Sequence, residues 1–184
     1  MAADPSRRAL TAHPQGAPPP GVALTARLAG AEAGGFGCEF QLSGDPARIR
    51  LPEGPGGRRA DGLWRHTCFE AFLAADGTAA YCELNFSPGG DWAAYTFDAY
   101  RSGMRPAALA APPRVAVRRT AGALTLSAQL SLAGLFARGN AVRVALAAVL
   151  EDERGALSYW ALAHARGRPD FHHAAGFVLA ACVS

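Results

Sequence analysis

The chain has 184 residues, of which 50% are apolar and 18% charged, with a formal net charge of +3. That length and balance fit one folded domain with a full core and exclude a disordered or fibrous chain. So small a net charge argues against a nucleic-acid partner, and no apolar run is long enough to span a membrane.

All 18 basic residues are arginine, a composition read mainly as a coding bias toward GC-rich codons. It removes a Schiff-base lysine, a lysine general base and the lysine of a phosphate loop. The start carries charge but no apolar stretch of the kind a secretory signal needs, so a cytoplasmic location is expected. Cys38, Cys68, Cys82 and Cys182 are scattered without a C-x-x-C, and in a reducing compartment they read as small buried residues.

Residues 1–7 read as a flexible N-terminus and 8–184 as a single domain. Residues 8–13 alternate enough for a short edge strand, closed by Pro14, and QGAPPPG is a stiff connector. Alternation continues over 22–28 and 34–42, where Phe36, Cys38, Phe40 and Leu42 share a face. Ile49 and Leu51 suggest another short strand, and 52–62 is an exposed loop by its Pro, Gly and Arg content. Beyond 101–113, a loop with three prolines, strands are predicted at 115–119, 124–130, 142–150, 158–164 and 177–183. The segment SLAGLFAR at 131–138 alone has helical punctuation, with Ser131 as N-cap and Gly139 at the end. Roughly ten short strands between turns predict an all-β, antiparallel β-sandwich with one short helix.

Asp76-Gly77 lies between two aromatic-rich apolar runs, a strong hairpin signal. A two-residue loop pairs Ala75 with Thr78, and so sets Phe72 against Tyr81, Glu70 against Glu83 and Cys68 against Asn85. The opposite face, with Phe69, Ala71, Leu73, Cys82, Leu84 and Phe86, is then core. Like charges directly across a ladder repel. The pair therefore asks for a shared proton, an arginine such as Arg65 or Arg101, a metal, or a polar ligand. A slip of one residue would separate the two.

No dinucleotide, phosphate-loop, nucleophile-elbow or zinc-protease motif occurs. His66 and Cys68 lack an orienting third group for nucleophilic work. Glu70 and Glu83 could serve an unrecognised hydrolase, at a spacing nearer that of a retaining glycosidase. In PDFHH at 169–173, an extended chain puts Asp170 and His172 on one face and Phe171 and His173 on the other. The His-His pair therefore cannot hold a metal alone. A loop packed by Phe171, with one histidine bonded to a carboxylate, is expected.

The W-x-x-T-x-x-E pattern at Trp64, Thr67 and Glu70 is followed by Y-x-E-x-N-x-S-P-x-G from Tyr81, and later by YWALAH and RPDFHH. Together they resemble the bacterial DOMON-like family, the branch related to family 9 carbohydrate-binding modules, over about residues 8–179. The resemblance implies an immunoglobulin-like or jelly-roll sandwich whose members bind sugars or haem, and it implies no catalytic residues. The expected function is a non-catalytic module for a carbohydrate or similar polar small molecule. Trp64, Trp92 or Tyr95 would stack on sugar C–H surfaces, one residue of loop length deciding which of the last two shares a face with Glu83. Arg65, Glu70, Glu83 and Asn85 would take hydroxyls, and Tyr81 and His172 complete the set. No cofactor is expected on this reading. The alternative is a haem domain with Met104 and His172 as axial ligands.

Overall fold

The computed structural model describes residues 4–30 and 35–183. Residues 1–3 of the expected flexible terminus, and Gly34 at the head of the strand expected over 34–42, lie outside the described residues. The strands are β1 (Arg8–Ala12), β2 (Ala23–Ala29), β3 (Gly35–Ser43), β4 (Cys68–Ala75), β5 (Tyr81–Phe86) and β6 (Trp92–Phe97). They continue with β7 (Arg105–Pro106), β8 (Arg114–Thr120), β9 (Ala123–Ser131), β10 (Ala141–Glu151), β11 (Leu157–Ala161) and β12 (Leu179–Cys182). All pair antiparallel in one curled 12-stranded sheet of order β7-β6-β5-β4-β10-β11-β1-β2-β3-β9-β8, with β12 also on β10. β1 joins the two halves: Arg8, Ala9 and Leu10 pair with β2, whereas Thr11 and Ala12 pair with β11.

The two-residue period of each strand sends alternate side chains to one shared core. Leu24, Phe40 and Leu126 from one half of the sheet meet Phe69, Leu84 and Leu146 from the other. The rings of Phe40 and Phe69, far apart along the sheet, lie 5.2 Å apart. The curl thus turns the two halves toward each other. On the far side of β4, β5, β6 and β10 a second cluster forms around Phe72, Tyr81, Tyr95 and Phe97, with Trp64, Phe171 and Phe177 packed against it. β10 is apolar on both faces because both faces are covered.

The predicted helix at 131–138 does not form. Ser131 closes β9, and its hydroxyl accepts a hydrogen bond from the Ala133 amide at 3.2 Å, as a cap would. A single turn follows, with the Leu135 and Phe136 amides donating to the Leu132 carbonyl. Gly134 then takes φ +85°, which breaks the helical run, and Leu132, Leu135 and Phe136 pack from this single turn against the core. The helical pieces that do occur are 3-10 turns at Pro46–Arg48, Leu63–Arg65 and Ala174–Gly176. The short strand expected at 49–51 reduces to one bridge between Ile49 and Asp152. No helix among the described residues is long and apolar enough to cross a membrane.

Candidate ligand-binding site

The β4–β5 ladder pairs Leu73 with Cys82, Phe72 with Glu83, Ala71 with Leu84, Glu70 with Asn85 and Phe69 with Phe86. This is a slip of two from the expected register, so Glu70 and Glu83 are diagonal neighbours rather than direct opposites. The cause is the loop. Thr78, whose hydroxyl donates to the carbonyls of Ala75 and Ala80, extends the turn past Asp76-Gly77, and β5 starts only at Tyr81. A slip of two keeps every side chain on its face. Both glutamates and Asn85 therefore remain together, with the apolar set on the core side.

Above that polar face lies a cavity of about 500 Å³. Its floor is Glu70 and Glu83; Trp64, Phe97, Tyr159 and Phe171 bring aromatic surface; Arg65, Arg101, Met104 and His172 also line it. Three loops build the walls. The 52–62 loop is drawn onto the start of β6 by paired backbone bonds between Trp92 and residues 58 and 60. It packs so closely on the 87–91 turn that a Cβ at Gly56 would lie 2.8 Å from the Gly89 carbonyl, and Gly56 has φ +66°. This seats Asp61, whose carboxylate accepts from the Tyr95 hydroxyl and from Arg59, and it delivers the 3-10 turn with Trp64 edge-on to Tyr95 at 5.7 Å.

The second and third walls are latched to each other. Asp170 accepts from the Tyr100 hydroxyl and, at 2.8 Å, from the Arg101 guanidinium. Arg101 sits at φ +52°, a left-handed conformation rare outside glycine, and its amide donates to the Tyr81 hydroxyl at 3.2 Å. That hydroxyl also meets His172 Nδ1 at 2.8 Å. Residues 169–173 form a turn rather than an extended run, so Phe171 and His172 both line the cavity. An extended segment would have parted them.

Glu70 is buried, and its Oε1 has no hydrogen-bond partner. Burial and then the neighbouring Glu83 push its carboxyl well above the usual range. Glu83 Oε1 accepts from Asn85 Nδ2 at 2.8 Å, and His172 Nε2 stands 3.9 Å from the other oxygen. Burial raises Glu83 too, against the pull of Asn85 and Arg101. His172 is pushed down to about 4, by burial and then by Arg101, which keeps its ring neutral near pH 7. The arginine bridge considered for the pair does not form: among the described residues no arginine pairs with either glutamate, and Arg101 serves Asp170 instead.

Of the residues singled out in the sequence, Trp64, Arg65, Glu70, Glu83, Met104 and His172 line the cavity. Tyr81, Asn85 and Tyr95 stand beside them and hold the lining groups in place through the bonds described above. Trp92 is elsewhere. It points to the core on the opposite face of β6, and its buried Nε1 has no partner. Tyr159 and Phe171 were legible as aromatics but not as neighbours, because only the pairing of β10 with β11 and the 169–173 turn bring them here. His66, set just before β4, bonds Glu151 at 2.7 Å and not Cys68.

No family model matches the sequence, and no curated protein matches it. Solved structures do. A protein of Bacteroides uniformis provisionally described as carbohydrate-binding superimposes with a TM-score of 0.64 at 13% identity, over 85% of this chain and 76% of that one. A family 9 carbohydrate-binding module from Caldicellulosiruptor kristjanssonii in complex with glucose matches with a TM-score of 0.50 at 9% identity, over 79% of this chain and 69% of that one. The cellotriose complex gives 0.50 at 8% identity, over 86% and 74%. The chain shares their fold.

Proposed function

We propose that this chain is a non-catalytic binding module of the DOMON-like sandwich type, taking a carbohydrate or a similarly polar small molecule. The observation that carries the reading is the cavity itself. Buried acids with spare hydrogen-bonding capacity form its floor and aromatic rings its walls, the two surfaces a sugar presents partners for. The glucose and cellotriose complexes of the module with the same fold support it.

Haem is the second reading, because Met104 and His172 line the same cavity. The donor set fits it poorly. His172 has Nδ1 on the Tyr81 hydroxyl and turns Nε2 toward the Glu83 carboxyl 3.9 Å away, and Met104 lies exposed at the surface rather than buried opposite it.

A glycan array followed by titration calorimetry on the best glycan tests the proposal, alongside an absorbance spectrum after addition of haem. Saturable glycan binding that falls at least about tenfold on Trp64→Ala is expected. A sharp Soret band without glycan binding would overturn the sugar reading.

A further inference from the structure

Resting on that sugar-binding reading, we propose that the ligand carries a free primary ammonium group, seated at Glu70 and Glu83. The chemical class is an amino sugar with an unacetylated amine.

Two carboxyl groups occupy one face with no cation from the protein between them. Glu70 is 3% exposed, lines the cavity, and leaves Oε1 without a partner. Glu83 has one oxygen satisfied by Asn85, while the other has only the neutral His172 ring, 3.9 Å away. Of the two guanidiniums at the cavity, Arg101 is committed to Asp170 and Arg65 is exposed at the mouth. An ammonium offers three donors and a compensating charge, so one group can serve Glu70 Oε1 and Glu83 Oε2 together. A hydroxyl could bond one of these oxygens but would supply no charge against which either acid could ionise. The aromatic lining adds a second attraction, since ring faces draw a cation more strongly than a neutral amide.

The charged and titratable groups around the pair come from every wall. They are Cys68 on β4, Tyr81 on β5, Tyr95 directly across from Glu83 on β6, Arg101 and Asp170 in the latched loops, His172 beside them, Tyr159 on β11 and Arg65 in the 3-10 turn. Burial favours the protonated form of both floor acids in the free protein, for Glu83 against the pull of Asn85 and Arg101. Docking an ammonium favours the carboxylate form, so R–NH3⁺ binds and a proton leaves the carboxyl to solvent. Amino-sugar affinity therefore rises with pH until the ligand amine itself loses its proton, and a neutral sugar binds without proton release.

Calorimetry of the whole chain with the glucosamine trisaccharide, cellotriose and the N-acetylglucosamine trisaccharide, in buffers of different ionisation enthalpy, reads these effects. The free-amine sugar should bind at least about tenfold more tightly than the other two, the scale of a charge-assisted hydrogen bond. Its enthalpy should vary with the buffer as protons are released. Glu70→Gln should bring the amino sugar down to the affinity of cellotriose, and Glu83→Gln repeats the test should the first variant fold poorly. Equal affinity for all three sugars overturns this inference and leaves the sugar reading standing. Binding of none of them, with none on the array, overturns both.

Discussion

The two faces of the β4–β5 hairpin are both buried, but by different means. The inner face, with Phe69, Ala71, Leu73, Cys82, Leu84 and Phe86, is closed by the other half of the sheet and holds nothing polar. The outer face mixes Phe72 and Tyr81 with Glu70, Glu83 and Asn85, and is closed by loops and latches. Packing alone accounts for the first. The second carries buried acids that a purely structural face would replace with apolar residues at no loss of stability. On the proposed reading such a face is kept for its ligand, with its polar groups set against the stability of the fold.

The largest effect expected is on the inner face. Phe69→Ala removes a fully buried ring that meets Phe40 and should destabilise by about 3–5 kcal/mol, read as a lowered urea midpoint. A loss under about 1 kcal/mol would mean that the two halves of the sheet are not closed on each other there.

The outer face should respond with the opposite sign. Glu70 and Glu83 bind protons more tightly folded than unfolded, so the stability they contribute is fully present at low pH and falls as pH rises above the ordinary carboxylate value of 4.5. Glu70→Gln should flatten that fall and raise stability at neutral pH, on the order of 1–2 kcal/mol. Asp170 contributes in a separate window. Burial opposes its ionisation, but Tyr100 and Arg101 hold its carboxyl below 3.8, so what it adds is lost only in stronger acid. Melts at several pH values for the wild type and the Gln variant would separate the two. Marked destabilisation by Gln at neutral pH would make the acids scaffold.

The smallest effect sharpens the division. Trp92→Phe keeps a ring in the inner core and removes an unsatisfied Nε1, so stability should change by less than about 1 kcal/mol and glycan affinity should not move. Affinity that follows Trp92 and ignores Trp64 would exchange the roles of the two faces.

The sorting of residues between those faces was legible in the sequence, because a period of two needs no knowledge of what lies opposite. By the same rule β10, apolar at successive positions from Val144 to Leu150, belongs between two covering layers, and both its faces are buried. Register was not legible. Asp76-Gly77 marks a turn, but whether Thr78, Ala79 and Ala80 belong to turn or strand depends on the Thr78 hydroxyl and on the pairing of β4 with β10. Trp92 and Tyr95, three apart on one strand, had to face opposite ways, yet which of them met Glu83 waited on the β5–β6 ladder that sets Tyr95 against it.

By itself, then, the sequence determined an antiparallel all-β chain with Glu70, Glu83 and Asn85 on one face, since alternation and turn chemistry act over a few residues. Tertiary structure alone decided that Tyr159, Phe171 and His172 close over those acids, that Arg101 serves Asp170 and not the glutamates, and that SLAGLFAR makes a single turn. Each of these depends on contacts between segments distant in sequence, where packing and loop closure outweigh any local preference.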